Sequence, residues 1–183
     1  MESFIIPLLL IHYVMNNKEH IKDINDSRVF IVEDNDMHSL MMDYFLSKDS
    51  TTHIKRFNSG EECIQNLNLN PDVVILDYGL PGINGMQTLN AIREYDPKIP
   101  VIIITGNMDR NIARKFLDAG VYDYIQKQED AFEEVSKVAD KILNIMSDKE
   151  EDKRRNSRNL LISIGIMIAT LVIATISFLT TRH

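Results

Sequence analysis

Val73-Val74-Ile75-Leu76-Asp77 decides the architecture: four apolar residues, three of them β-branched, closed by a carboxylate. The run is too short for a helix, and Asn70-Pro71-Asp72 before it is turn chemistry, so it reads as a strand buried on both faces. Working outward, the pattern repeats. Val29-Phe30-Ile31-Val32 runs into Glu33-Asp34, Val101-Ile102-Ile103-Ile104 into Thr105, and Tyr122 to Ile125 is closed by Lys127. Short apolar strands separated by helix-length polar segments predict an α/β fold, a doubly wound parallel sheet covered by helices on both faces. All strands of such a sheet point one way, and their carboxyl ends lie along the edge where open α/β sheets bind ligands. Three acids, a hydroxyl and a lysine should therefore converge there from distant positions.

The segments between these runs fit. Asp36 to Leu46 places Met37, Leu40, Met41, Tyr44 and Phe45 at helical spacing, and Thr52 to Phe57 supplies a fifth, β-branched strand. Ser59 is a candidate N-cap for a helix beginning Gly60-Glu61-Glu62, and a further helix follows Gly85 and runs through Glu94. Asn107 to Ala119 reads as a helix with Gly120 at its C-terminal cap, and the last helix runs from Glu129 to about Met146. The expected division is an extension over 1–26 outside the fold, an α/β domain over 27–146, a charged linker over 147–159, and a transmembrane helix over 160–181. Leu160 to Leu179 carries no charge, and about 20 helical residues cover a hydrocarbon core of about 30 Å. Lys153, Arg154, Arg155 and Arg158 precede it, which predicts a domain on the cytoplasmic side. Phe4 to Val14 is too short to span and is interrupted by Pro7; an interfacial anchor is the functional alternative for it.

The formal net charge is -7, and because everything from Lys153 onward is basic or neutral, the preceding residues are more acidic still. That balance argues against binding to a nucleic-acid backbone, whose non-specific affinity comes mainly from Lys and Arg. The single Cys63 permits no internal disulfide and no cysteine metal site. His12, His20, His38, His53 and His183 show no paired spacing, and no metal or phosphohistidine role is expected of them.

At the polar edge, Glu33, Asp34 and Asp77 would repel one another unless a cation sat between them. A hard divalent ion with oxygen ligands fits, Mg²⁺ best, since it takes one or two carboxylates and leaves positions for water and a phosphoryl oxygen. The acids alone leave open a solvated acidic rim. Thr105 and Lys127 favour a phosphoryl cradle, a hydroxyl and a cation facing oxygens that carry negative charge.

Together, Val-Glu33-Asp34, Ile-Leu-Asp77-Tyr-Gly-Leu-Pro81-Gly-Ile-Asn-Gly85, Ile-Thr105-Gly106 and Tyr124-Ile-Gln-Lys127 resemble the receiver domain of bacterial two-component response regulators, over about Arg28 to Met146. The resemblance implies a flavodoxin-like sheet with strand order 2-1-3-4-5. It implies Asp77 as phospho-acceptor, Asp34 as a direct Mg²⁺ ligand, Glu33 as the neighbouring acid, and the backbone carbonyl of Gly79 as a further ligand. Thr105 would be the switch hydroxyl, Lys127 the lysine that pairs with the phosphoryl group, and Tyr124 the aromatic whose rotamer reports phosphorylation. The sequence departs from the family at Gln128, where proline is usual, and Gly79 offers no side chain to shield a phosphoryl group. The implied partners are a sensor histidine kinase or histidine phosphotransfer protein and a downstream protein; the uncharged run from Leu160 separately predicts a lipid bilayer as partner of the C-terminal helix.

Three functions compete on these residues. A membrane-tethered receiver would accept a phosphoryl group and switch partner binding, or act as a phosphate sink. A phosphatase of the aspartyl-phosphate type would need a second acid two positions after its nucleophile, where this chain has Gly79. An interaction module of the same fold would need no phosphorylation.

Overall fold

The computed structural model describes residues 27–47, 52–106 and 110–180, without the side chains of 110, 172, 175, 176 and 178–180. The expectations for residues 1–26 lie outside the described residues. The elements are β1 (Ser27–Val32), α1 (Asp36–Leu46), β2 (Thr52–Phe57), α2 (Gly60–Gln65), a 3₁₀ turn (Leu67–Leu69), β3 (Val73–Asp77), α3 (Gly85–Tyr95), β4 (Val101–Thr105), α4 (Arg110–Asp118), β5 (Asp123–Gln126) and α5 (Ala131–Thr180). The sheet is parallel throughout, in the order β2-β1-β3-β4-β5. Strand and helix thus alternate as the apolar runs require.

The two-residue period of the strands sorts the core into two layers. Phe30, Val32, Val74, Leu76, Val101 and Ile103 face one way, packing with Cys63, Leu89, Ile92 and Phe116 of α2, α3 and α4. Val29, Ile31, Val73, Ile75, Ile102 and Ile104 face the other, against Met42 and Leu46 of α1 and Val135, Ala139 and Ile142 of α5. Neighbouring residues of β1, β3 and β4 are buried on opposite faces, which is why these strands read as unbroken apolar runs. The edge strand β2 instead alternates between exposed and part-buried positions along most of its length. Burial pushes the Cys63 thiol up to about 12, so it behaves as a small core hydrophobe.

Side-chain caps fix where the helices start. Asn35 accepts from the backbone N–H groups of Met37 and His38, Ser59 caps α2 through Glu62 N–H, and Asn84 with Gln87 forms a reciprocal capping box on α3. Gly120, at φ +72°, takes the left-handed turn after α4, where a Cβ would be strained. Gly85 is set by space. A Cβ there would come within 2.7 Å of both the Asp77 carbonyl oxygen and the Tyr78 Cα, backbone that has nowhere to go. Gly85→Ala should therefore destabilise the domain by about 1–3 kcal/mol, measured by urea unfolding, and weaken divalent-ion binding with it.

Three expectations are corrected. The last helix does not stop at Met146: α5 continues unbroken through the expected linker to Thr180, because residues 131–164 contain neither Gly nor Pro and are rich in good helix formers. The separate transmembrane helix over 160–181 is not borne out as drawn. Among the described residues no helix is long and apolar enough to cross a membrane, the apolar segment is the end of α5, and 181–183 lie outside the described residues together with the side chains noted above. β5 begins at Asp123 rather than Tyr122, whose ring is 42 % exposed ahead of the strand.

Candidate functional site

The carboxyl ends of β1, β3, β4 and β5 meet as the topology requires. Glu33 and Asp34 follow β1, Asp77 closes β3, Thr105 closes β4, and Lys127 follows β5. Register holds them level: Asp77 pairs with Ile104, Thr105 with Gln126, and Lys127 N–H donates to the Thr105 carbonyl at 2.7 Å. The ammonium of Lys127 donates to Asp77 Oδ2 at 2.8 Å and lies 2.7 Å from Glu33 Oε2. Gly79 N–H donates to Asp77 Oδ1 at 3.1 Å. Glu33, Asp77 and Thr105 are almost fully buried, whereas Asp34 is exposed.

Carboxylate oxygens of Glu33, Asp34 and Asp77 can all lie within 4.8 Å of one another, which makes the trio a candidate metal centre. The donor set suits a hard divalent cation, and a second observation supports the fit. The Lys127 ammonium, 2.7 Å from buried Glu33 Oε2, is shared with Asp77 Oδ2 at 2.8 Å, so one cation serves two buried carboxylates. Buried carboxylates need more positive charge than one shared ammonium supplies, and a bound cation would provide it. Three carboxylates against one ammonium also leave the pocket net negative.

The same crowding acts on the protonation of both Glu33 and Lys127. Desolvation holds the Glu33 carboxyl above its ordinary range; Asp77 adds repulsion, and Lys127 only partly offsets both. For Lys127, burial acts downward, but the Asp77 and Glu33 carboxylates outweigh it and raise its pKa.

Tyr124 is placed one step from this cluster. It pairs in register with Ile103 on β4 and is half-buried on the α4 side of the sheet. Its ring lies 5.9 Å from Phe116, which meets Tyr78, the residue after Asp77, at 5.5 Å. All peptide bonds among the described residues are trans, the one at Gln128 included.

One neighbour of the site was not expected. His38 Nδ1 lies 3.4 Å from Glu33 Oε1, and the imidazole packs at 5.7 Å from the Phe132 ring of α5. The signal was faint: the Asn35 cap turns the first residues of α1 back over the strand end, a contact that no periodic spacing encodes.

The family model described as the response regulator receiver domain matches residues 29–139. The chain is 34 % identical over 99 residues to a cyclic di-GMP phosphodiesterase of Thermotoga maritima, covering 54 % of this chain and 26 % of that protein. It is 30 % identical over 101 residues to the transcriptional activator protein ExaE of Pseudomonas putida, covering 54 % of this chain and 47 % of that protein. The chain thus spans about a quarter to a half of the length of these curated relatives. Among solved structures it is similar to the signal receiver domain of a Luxo repressor protein from Vibrio parahaemolyticus, at 27 % identity and a TM-score of 0.61, covering 69 % of this chain and 95 % of that one.

Proposed function

Since this chain belongs to the response regulator receiver domain family, we propose that it accepts a phosphoryl group on Asp77 from a phosphohistidine donor, and that the modified domain changes its contacts with a downstream protein. The observation that carries this reading is the contact of Lys127 with both Asp77 and Glu33 in a buried acidic pocket.

In the reaction, a carboxylate oxygen of Asp77 attacks phosphorus, a P–O bond forms, the P–N bond to the donor histidine breaks, and the imidazole leaves. Mg²⁺, held by Glu33, Asp34, Asp77 and the Gly79 carbonyl, would supply the positive charge that lets an anionic donor approach three acids. Lys127 keeps one Asp77 oxygen paired and then pairs with the new phosphoryl oxygens. Thr105, at the end of the neighbouring strand, donates its hydroxyl to the same group. Tyr124 follows Thr105 and turns toward or away from the α4 face. The phosphoryl group thereby acts as the ligand that shifts an equilibrium between two arrangements. Incubation with phosphoramidate should label the protein only when Mg²⁺ is present; label that persists in EDTA contradicts this assignment.

The donor's docking surface has a candidate on the same edge. Met37, Leu40, Met41 and Tyr44 form an exposed apolar stripe on α1, which starts beside Glu33 and Asp34. Leu40→Glu should slow phosphoryl transfer from a histidine phosphotransfer protein by about tenfold or more while leaving labelling by phosphoramidate unchanged. Equal loss with both donors would place Leu40 in the site rather than on the docking surface.

We further read the apolar end of α5 as a lipid anchor, with the receiver on the cytoplasmic side. The uncharged run Leu160 to Leu179 and the preceding Lys153, Arg154, Arg155 and Arg158 support this. Co-flotation of the full chain with lipid vesicles tests it; failure to float removes the anchor from the reading and leaves the phosphoryl chemistry standing.

A further inference from the structure

The expected flexible tether is a helix, and that changes how the domain can sit on a bilayer. α5 enters at the edge that carries the phosphorylation site, since Ala131 follows Lys127 by four residues. It leaves at the opposite edge, where Ile142, Ile145, Met146 and Lys149 line a groove with Lys98, Pro100 and Tyr122, residues just ahead of β4 and β5. From Asp148 onward every described side chain is exposed, so nothing among the described residues covers the helix beyond the domain.

The exposed part is chemically ordered. Asp148, Glu150, Glu151 and Asp152 come first, then Lys153, Arg154, Arg155 and Arg158, then an apolar surface. Ion pairs Glu150–Lys153 at 3.7 Å and Asp152–Arg155 at 2.6 Å tie the acidic and basic blocks together along the helix. Leu160, Leu161 and Ile162 are successive and each more than half exposed, as are Ile166, Met167 and Ile168. Three successive residues of a helix point in three directions, so this surface is apolar all round rather than along one stripe, the pattern of a helix made for lipid rather than for a partner helix. Ser163 and Thr170 return their hydroxyls to the helix backbone, at 3.0 Å to the Asn159 carbonyl and 2.8 Å to the Met167 carbonyl, so neither hydroxyl is an unmet donor.

We propose that α5 is a stiff strut seated on an anionic lipid surface, with the basic block at the headgroups and the Asp77 edge of the domain turned away from the bilayer. The proposal rests on the lipid-anchor reading above. At a rise of 1.5 Å per residue, Lys149 stands about 17 Å and Ala131 about 44 Å along the helix from Leu160. The basic residues fall within roughly 10 Å of the hydrocarbon boundary, inside the headgroup layer, and the acidic block is kept beyond it. A phosphodonor therefore reaches Asp77 from the solvent side, and the groove edge faces the membrane.

Energy transfer to headgroup-labelled lipid tests this on the full-length protein in vesicles of phosphatidylcholine with phosphatidylserine. A dye is attached at Lys98→Cys on the groove edge or at Glu129→Cys on the Asp77 edge; both positions are exposed, and buried Cys63 with its high pKa does not compete for the label. Transfer is expected to be several-fold stronger from position 98. A Gly-Gly insertion after Asp152 should break the helix and bring the two values together. Equal transfer in the unaltered chain, or a difference that survives the insertion, overturns the strut. Replacing Lys153, Arg154, Arg155 and Arg158 by Gln should abolish the preference for phosphatidylserine over pure phosphatidylcholine; an unchanged preference overturns the headgroup contact. Failure of the full chain to float with either vesicle is the separate result that defeats the anchor itself.

Discussion

Asp77→Asn is expected to abolish phosphoryl incorporation, by at least about 10³-fold relative to the unaltered chain, because the amide offers no carboxylate oxygen to form an acyl phosphate. The fold should tolerate the change. Asn is nearly isosteric, its amide oxygen can still accept from Gly79 N–H, and removing one of three crowded acids relieves a repulsion that helps to raise the Glu33 pKa. Thermal unfolding without divalent ions should therefore show the variant at least as stable as the parent, while labelling with phosphoramidate and Mg²⁺ falls to background. Retained label would move the acceptor to another residue. Loss of label accompanied by unfolding would be uninformative about chemistry, which is why the two measurements belong together.

Lys127→Ala is expected to have the largest effect on stability. Lys127 is the cation in contact with two buried carboxylates, and removing one member of a buried charged group leaves the others uncompensated. A loss of about 2–4 kcal/mol near neutral pH, without divalent ions, follows from that imbalance. The sign of its pH dependence is fixed by Glu33. An acid whose pKa is raised in the folded state favours folding while it is protonated, and that favour is lost as the pH rises through the raised folded value. Without Lys127 the Glu33 carboxyl should rise further, so the deficit should be small near pH 4.5 and grow as pH increases above it. Mg²⁺ should restore much of the lost stability, since it binds the folded state only and replaces the missing positive charge. Urea unfolding across pH, with and without Mg²⁺, checks all three statements. A deficit insensitive to both pH and Mg²⁺ would mean that Lys127 acts through packing alone.

Most of the sheet was legible because burial on both faces leaves a distinctive trace. Val73 to Leu76 cannot be amphipathic when successive residues belong to opposite core layers, and the same holds for β1 and β4. Once the strands are recognised, parallel topology alone brings Glu33, Asp77, Thr105 and Lys127 to one edge, and three of these four side chains are within ion-pair distance in the structure. The unread parts share a physical cause. Residues 147–159 are polar on every side, and a solvated helix and a flexible tether have the same composition; only the lack of Gly and Pro separated them. Tyr122 looked like a strand residue by its ring, yet it precedes β5 and is exposed. His38 leaves no trace in the sequence pattern, because its neighbour Glu33 is reached around a helix cap rather than along a repeat.

On the proposed reading, separated side chains form one divalent-ion-dependent phosphoryl acceptor on the carboxyl edge of the sheet. Mass spectrometry of the full chain after phosphoramidate treatment, with Mg²⁺ and with EDTA, measures it directly. One phosphoryl group on the peptide containing Asp77, present with Mg²⁺ and missing with EDTA, is the expected result. Modification mapped to His38, Asp34 or any other residue, or modification of Asp77 that is indifferent to the metal, would contradict it.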